Sequence, residues 1–329
     1  MTIRTYAPYV VVTLALLALA LLIVKLAPVL LLAFAGVVFA AIIRAAANPL
    51  ITRLKVPSTI AVVVVTLLIA AIVVGGGWLF GQQVTAQAAE LWTALQESLD
   101  TLRQRVGDSP LLQSIMEQAR GATSPETMGK VAKGTATVFG VVIDVALVLF
   151  LAVYLALDPI TYRDGLVRLF PKATRARVTD ALDAAGADLR RWLIGQLGAM
   201  VCVGILAAIG LSIAGVPLAM PLGILLGVMD FVPVVGPLIA AIPGVLIAFA
   251  QSPHLALWAI VVYLIVQNIE GNVIVPLAQR WAVSLPAALT LVGIVAFGTL
   301  LGPAGLFLAM PLIVVTKTLV EKLYLEALG

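Results

Sequence analysis

Long uninterrupted apolar runs dominate the pattern of hydrophobic and polar positions along this chain. A helix needs about 20 apolar residues to cross the roughly 30 Å hydrocarbon core of a bilayer. Six runs are apolar enough to be membrane spans: residues 6–24, 28–43, 57–80, 135–157, 192–213 and 254–276. Because these runs are continuous rather than alternating, they predict membrane helices and exclude a transmembrane barrel.

Short polar or proline-containing segments separate the first three runs. Lys25-Leu26-Ala27-Pro28 divides the first run from the second, so we expect these two helices to form a hairpin. Asn48-Pro49 and Lys55-Val56-Pro57 then mark the turn into the third run.

A polar insert at residues 82–134 follows the third run and carries a near-heptad apolar stripe: Val84, Ala88, Leu91, Leu95, Leu99, Leu102 and Val106. This spacing predicts an amphipathic helix. The insert either packs on itself as a helical hairpin, turning at Gly107-Asp108-Ser109-Pro110, or contacts another subunit.

A second polar insert covers residues 158–191. Its apolar stripe consists of Val178, Leu182, Ala185 and Leu189, and arginines and aspartates occupy the other face. This pattern is typical of a helix that lies in the headgroup layer of a membrane, and we expect that placement here. Trp192, at the start of the next run, is expected to anchor the chain at the interface.

Two apolar stretches near the C-terminus are interrupted by proline and glycine. Residues 217–251 break around Asp230 to Pro237, and residues 286–320 break at Gly302-Pro303-Ala304-Gly305. A proline inside a helix removes a hydrogen bond and bends or ends the helix. The stretches are either two re-entrant hairpins of an inverted repeat, as in many secondary transporters, or four ordinary kinked helices.

These patterns predict an all-α, polytopic membrane protein with about eight or more membrane-inserted segments. Its expected parts are the N-terminal helices 1–81, the helical insert 82–134, the membrane helix 135–157, the amphipathic segment 158–191 and a core transport region 192–329.

The composition agrees with a membrane location, because 62% of the residues are hydrophobic and only 11% are charged. A soluble domain is roughly 45–50% apolar and about 25% charged. The single cysteine and single histidine exclude an intrachain disulfide and a multi-histidine metal centre, so no metal and no cofactor is expected. No GxxxxGK[ST] motif occurs in the sequence, which therefore contains no P-loop.

Basic residues suggest an orientation. With the N-terminus inside and the predicted spans alternating, 14 of the 20 lysines and arginines lie inside and the other 6 outside. The positive-inside rule then places both termini and residues 158–191 in the cytoplasm, and the 82–134 insert outside. The net charge of +4 thus indicates a lipid bilayer as partner, not nucleic acid.

Three acidic residues lie inside predicted membrane segments, where each costs at least about 2.5–3.5 kcal/mol at the bilayer centre. Asp230 stands at the first break beside Pro233, Gly236 and Pro237. It could bind a cation, a proton or a polar solute, or simply cap a helix.

Glu270 belongs to a polar cluster with Gln267, Asn268 and Asn272 that either contacts substrate or bonds helices together. The third acidic residue, Asp144, is a secondary candidate. Gly302 and Pro303 complete the expected substrate or ion site, which contains no catalytic residue.

The segment Gly227-Val-Met-Asp-Phe-Val-Pro-Val-Val-Gly-Pro237 resembles the Asp-x-[Ile/Val]-Pro-x-x-Gly-Pro segment of the autoinducer-2 exporter family. Further matching features follow one another in order along nearly the whole chain: Tyr154 to Asp158, Trp192-Leu-Ile-Gly195-Gln196, Gln267-Asn-Ile-Glu270 with Pro276, Leu285-Pro286, and Gly302-Pro-Ala-Gly305 with Pro311. The resemblance implies a permease-like, homo-oligomeric protein of the bacterial inner membrane, linked in some members to autoinducer-2 export and in others to sodium/proton antiport.

Four functions remain open at this point. The leading one is a secondary transporter that exports a small polar, autoinducer-2-like solute. The second exchanges sodium or lithium for protons. The third, an intramembrane aspartyl protease, would pair Asp144 with Asp230, but the sequence lacks the second glycine of a GxGD motif, so we expect no enzyme. The fourth is a scaffold that binds partners through residues 82–134.

Overall fold

The computed structural model describes residues 3–71, 135–277 and 285–327, and within these ranges the chain is helical with no strand. Four helical stretches there are long and apolar enough to cross a membrane: Lys25–Thr52, Lys172–Ile213, Pro253–Leu277 and Ala288–Leu323. A bent pair of helices adds a fifth, and three shorter apolar helices lie beside them. The all-α class is confirmed, whereas the number of about eight inserted segments stays a prediction.

The N-terminal hairpin prediction is wrong, because helix α1 runs without a break from Ile3 to Thr52. Its 50 residues pass through Pro28 and Pro49. A proline removes one hydrogen bond, which a helix surrounded by strong helix formers and membrane neighbours tolerates. The chain first turns at Arg53 to Pro57, where Lys55 has a positive φ of 54°.

Helices α1, α2 (Ser58–Ala71) and α3 (Thr135–Leu157) pack together through small side chains. Buried alanines and valines fill this contact: Ala40, Ala47, Ala61, Val62, Val65, Ala152 and Ala156. Gly36 on α1 lies so close to Leu151 on α3 that a Cβ would meet its side chain at 2.8 Å. Small residues allow such close approach of membrane helices. Helix α3 has the bounds predicted from the sequence.

The polar segment between residues 158 and 191 forms two helices rather than the single interfacial helix that the sequence predicts. Helix α4 (Pro159–Val167) is short, and α5 extends from Arg175 to Ile213 as one 39-residue helix. Because its polar first half continues directly into the apolar run 192–213, a straight α5 of roughly 58 Å cannot lie flat on the membrane and also cross it. The predicted stripe is nonetheless present, since Val178, Ala185 and Leu189 are buried.

The first broken stretch forms α6 (Ala219–Met229) and α7 (Val235–Gln251), separated by residues 230–234. Helix α6 packs on α5 with almost no side chain between the two backbones. A Cβ on Gly223 would meet the carbonyl oxygen of Gly204 at 2.5 Å, and one on Gly227 would meet that of Met200 at 2.6 Å. Helices α5 and α6 therefore form one tightly joined pair.

Helix α8 (Pro253–Ile269) begins at the N-cap Ser252, whose Oγ accepts a hydrogen bond of 3.1 Å from the Leu255 amide. It packs against α7, where the ring of Tyr263 lies directly against Gly244. A π-helical turn, Glu270–Ile274, continues α8. Helices α7 and α8 thus form a second packed pair.

The second broken stretch is α9 (Ala287–Leu323), whose helical geometry is interrupted at Gly302 with φ 68° and ψ −156°. Gly293 lies against Ile313, and Gly305 lies against the carbonyl of Phe297. In a straight helix these pairs would be roughly 30 Å and 12 Å apart. The two halves therefore run antiparallel as a helical hairpin that turns at Gly302, although by length and composition alone they pass as one span.

The remaining predictions for residues 72–134 lie outside the described residues. They include the helical insert 82–134 and the last part of the third predicted span. The predicted division of the chain into five parts likewise stays a prediction.

We expect Gly302→Ala to destabilise the protein, because the φ and ψ of Gly302 fall in a region that is essentially restricted to glycine. The cost should be about 1–3 kcal/mol, measured as a lower thermal unfolding midpoint in detergent. Gly198→Ala is the matched control, since a Cβ there meets no atom within 4 Å and alanine favours a helix. Equal midpoints for the two variants would contradict the turn at Gly302.

Candidate functional site

Asp230 lies where α6 ends, and its side chain is buried with 1% relative exposure. The last carbonyl groups of a helix have no partner within the helix. Gln196 on α5 fills this role, since its Nε2 donates a 2.8 Å hydrogen bond to the Asp230 carbonyl oxygen. Neither carboxylate oxygen of Asp230 receives an N–H or hydroxyl donor from the described residues.

Glu270 lies at the start of the π-helical turn that follows α8, and it is also buried, with 8% relative exposure. The Nε2 of Gln267 donates a 2.6 Å hydrogen bond to Glu270 Oε2. Single π-helical turns in α-helices occur frequently at functional sites, because the wider turn redirects a side chain. Here the turn begins at the buried carboxyl group.

The side chains of Asp230 and Glu270 lie within hydrogen-bonding reach of each other, although the residues are 40 positions apart. Two carboxylates cannot donate to each other, so this contact is attractive only when one of them holds a proton. A shared proton would also account for the lack of an N–H or hydroxyl donor to the Asp230 carboxyl group from the described residues. We refer to Asp230 and Glu270 as the carboxyl pair.

The residues after Asp230 form a strained turn. Val234 has φ 69° and ψ −54°, an outlier for a β-branched residue. Pro233 precedes it, while Gly236 and Pro237 are buried in the first turn of α7. Gly236 lies against the Met229 carbonyl, where no side chain would fit. The sequence prediction of a break beside the carboxylate is therefore confirmed in its geometry.

The structure separates the other predicted polar residues from the carboxyl pair. Asn268 and Asn272 are exposed, and each donates its Nδ2 to a carbonyl of its own helix, at Leu264 and Asn268 respectively. Asp144 is exposed on α3, whereas Asp230 is buried. An exposed and a buried aspartate do not make the shared-proton dyad that an aspartyl protease requires.

An aromatic cluster connects the two broken stretches. The Phe231 ring stacks on Phe307 with centroids 4.5 Å apart, and Trp192 meets Phe231 edge-on at 6.0 Å. Phe307 follows the turn at Gly302 and Pro303. Its ring therefore brings the second broken stretch into contact with Phe231, the residue directly after Asp230. Trp192 is 6% exposed in the core, and the prediction that it anchors the chain at the interface is wrong.

Sequence reasoning missed Gln196, Phe231 and Phe307 as neighbours of the site. The signal for Gln196 was an amide in an otherwise apolar span, because such a group needs a hydrogen-bond partner in the membrane. The aromatic residues carry no comparable signal. Among the residues that the structure describes, no group of three or more His, Cys, Asp or Glu side chains could hold a metal ion.

Comparison with known proteins gives a consistent result. The family model described as AI-2E family transporter matches residues 10–325. YueF of Bacillus subtilis, named as a candidate transport protein, is 28% identical over 292 residues, which cover 82% of this chain and 78% of YueF. The AI-2 transport protein TqsA of Escherichia coli is 24% identical over 143 residues, 43% of this chain and 42% of TqsA.

The extent of these matches decides the family, since the family model covers nearly the whole chain. Its members are transporters and not enzymes. Together with several long apolar helices, this makes the chain a multi-pass membrane protein. The chain belongs to the AI-2E family of transporters.

Proposed function

We propose that this protein is a secondary transporter whose cycle is coupled to a proton held by the carboxyl pair, and that its cargo is a small polar solute that it exports from the cell. The observation that carries the proposal is the contact between Asp230 and Glu270, two buried acidic side chains from different helices. Ionisable residues inside a membrane protein mark ion and proton pathways.

The energy source follows from the sequence, which contains no P-loop. An ion gradient or the gradient of the solute must then drive transport. One charge that moves through 100 mV supplies about 2.3 kcal/mol, which suffices to change the relative population of two conformations roughly fiftyfold.

The packing suggests how protonation could control the conformation. Asp230 ends α6, which is joined to α5 through backbone contacts, and Glu270 follows α8, which packs against α7. The strained turn at Val234 is the chain connection between α6 and α7. The two carboxyl groups attract each other when they share a proton, and they repel each other when both are charged. Loss of the proton would thus separate the two helix pairs at this turn.

The identity of the solute is a proposal that rests on a relative. TqsA is named as a transport protein for AI-2, and this chain is similar to 42% of its length. A small polar molecule of that class needs hydrogen-bond donors and acceptors. The amides of Gln196 and Gln267, beside the carboxyl pair, would provide them.

A second candidate function is the exchange of sodium or lithium for protons. The carboxylate oxygens of Asp230 support it, because they receive no N–H or hydroxyl donor from the described residues and hard cations bind oxygen ligands. Purified protein in liposomes separates the two cargoes. Proton movement driven by a sodium or lithium gradient, without any organic solute, favours the antiporter; AI-2 flux that depends on a pH gradient favours the exporter.

We also propose that the hairpin around Gly302 and the broken stretch around Asp230 form an inverted repeat that enters the membrane from opposite sides. The hairpin contacts at Gly293 and Gly305 and the matching break in the first stretch support it. A homo-oligomer is likewise a proposal. Its support is the exposed amides of Asn268 and Asn272, since such groups often bond between helices in membranes.

We predict that Asp230→Asn and Glu270→Gln each reduce flux about tenfold or more, or abolish its dependence on pH. Either change keeps the size of the side chain but leaves a single titrating group in place of the pair, and a hydrogen bond to a charged partner contributes about 1.5–3 kcal/mol. Flux in liposomes across a range of pH is the measurement. Asp144→Asn, on the exposed side of α3, is the matched control and should behave as wild type. Normal, pH-dependent flux in both pair variants would disprove the coupling role.

We predict a smaller effect for Gln196→Ala, which removes the only described side-chain donor to the Asp230 carbonyl. A neutral hydrogen bond contributes about 0.5–1.5 kcal/mol, so flux should fall about two- to tenfold. Its pH of half-maximal flux should also shift, because the turn that carries Asp230 loses its support. The control is Gln251→Ala at the exposed end of α7. An unchanged pH profile would show that Gln196 does not position Asp230.

We propose the bacterial inner membrane as the location, with both termini in the cytoplasm, on the basis of 14 basic residues inside against 6 outside. The continuous α1 removes the predicted hairpin from that argument, which makes a direct test necessary. In a Cys202→Ser background, Ala176→Cys should stay unlabelled by a membrane-impermeant thiol reagent in intact cells and be labelled after lysis. Labelling in intact cells would reverse the orientation.

A further inference from the structure

Helix α4 turns away from the membrane span α3 by 90° at a single connecting residue, Asp158. Asp158 caps α4, because its Oδ1 accepts a 3.2 Å hydrogen bond from the Thr161 amide. Hydrogen bonds from Thr161 also lower the pKa of Asp158. From the 90° bend we infer that α4 lies along the membrane surface at which α3 leaves the bilayer.

One face of α4 is fixed to the protein. Val167 is buried, and Arg163 Nη1 donates to both carboxylate oxygens of Asp183 on α5, at 2.9 and 2.8 Å. Asp164 accepts from the same guanidinium group. These contacts set the rotation of α4 about its axis and thus determine which residues face outward.

The outward face is apolar. Tyr162 and Leu166 lie four positions apart on α4, Leu169 lies in the turn that follows the helix, and all three are exposed. Leu169 is 79% exposed, which is unfavourable in water. Ile160 and Phe170 at the two ends of this segment are exposed as well.

Two basic side chains flank this apolar face. Arg168 and Lys172 are exposed, and neither forms an ion pair within the described ranges. Arg175 is committed to the turn itself, because its guanidinium donates to the carbonyl oxygens of Phe170 and Arg168 at 3.0 Å. These two hydrogen bonds fix the shape of the turn between α4 and α5.

We propose that the surface formed by α4 and the turn that follows it, composed of Tyr162, Leu166, Arg168, Leu169 and Lys172, binds anionic phospholipids. The apolar side chains enter the boundary between headgroups and acyl chains, and the two basic side chains bind the phosphate groups. An apolar face with basic residues beside it is the pattern of helices that lie at membrane surfaces. The sequence pattern indicated such a helix within residues 158–191, and the structure assigns that role to α4 rather than to α5.

Lipid is the occupant that the geometry favours, because the surface is joined to a membrane span by one residue. A soluble protein partner would have to displace headgroups to reach it. A basic residue near an anionic membrane surface contributes about fivefold to binding, so both together should give up to about thirtyfold preference for anionic over zwitterionic lipid.

The test is a lipid titration of the full-length protein in non-ionic detergent, with bound lipid counted by native mass spectrometry. We expect phosphatidylglycerol to bind more tightly than phosphatidylcholine, and Arg168→Gln/Lys172→Gln to lose most of that preference. Leu166→Ser/Leu169→Ser should weaken the binding of both lipids. Arg190→Gln, which removes an exposed charge from α5 instead, is the control and should keep the preference.

Three results of the lipid titration would overturn the proposal. They are equal binding of the two lipids by the wild type, an unchanged preference in the Arg168→Gln/Lys172→Gln variant, and an equal loss of preference in Arg190→Gln. Free glycerol 3-phosphate tests the alternative of a soluble phosphate ligand, and its binding at this surface with lipid-like affinity would also overturn the proposal. Circular dichroism confirms that each variant is folded, and the exposed positions of the substituted residues make misfolding an unexpected outcome.

Discussion

A helix that ends inside a membrane must find partners for the carbonyl and amide groups that its end releases, because hydrocarbon offers none. The break between α6 and α7 meets this constraint with local turns and one side chain. The amides of Val232 and Gly236 bond the carbonyls of Met229 and Val232, and Gln196 bonds the Asp230 carbonyl. The position of Asp230, and therefore its contact with Glu270, depends on this arrangement.

Close packing then decides which helices can move relative to each other. At Gly223 and Gly227 the backbones of α5 and α6 touch, so no side chain can rearrange to let them slide. By contrast, α6 and α7 are joined through a strained residue, Val234, and strain in such residues persists only where the surroundings enforce it. The carboxyl pair lies across this connection, and in the proposed function the loss of its proton acts there.

The sequence correctly predicted where a helix is interrupted when several local signals coincided. Asp230, Pro233, Gly236 and Pro237 lie within eight positions, and the helix does end there; Gly302 and Pro303 likewise mark a turn. At Pro28 a single proline stood among helix-forming residues without glycine, and the helix continues. Local signals also identified Asp230 and Glu270 one by one. Their contact depends on how four helices pack, which no local pattern encodes, and the same holds for the partnership of Gln196 with Asp230.

The two broken stretches share a geometry but differ in chemistry. The first break carries a buried carboxyl group, whereas Gly302-Pro303-Ala304-Gly305 contains no ionisable side chain. The second stretch contributes an aromatic contact instead, because Phe307 stacks on Phe231, the residue directly after Asp230. Stacked aromatic pairs add about 0.5–1.5 kcal/mol beyond the burial of their area. A separation of the carboxyl pair must therefore either carry the Gly302 hairpin along with Phe231 or break this stack, so the hairpin without charge still takes part in the energetics of the site.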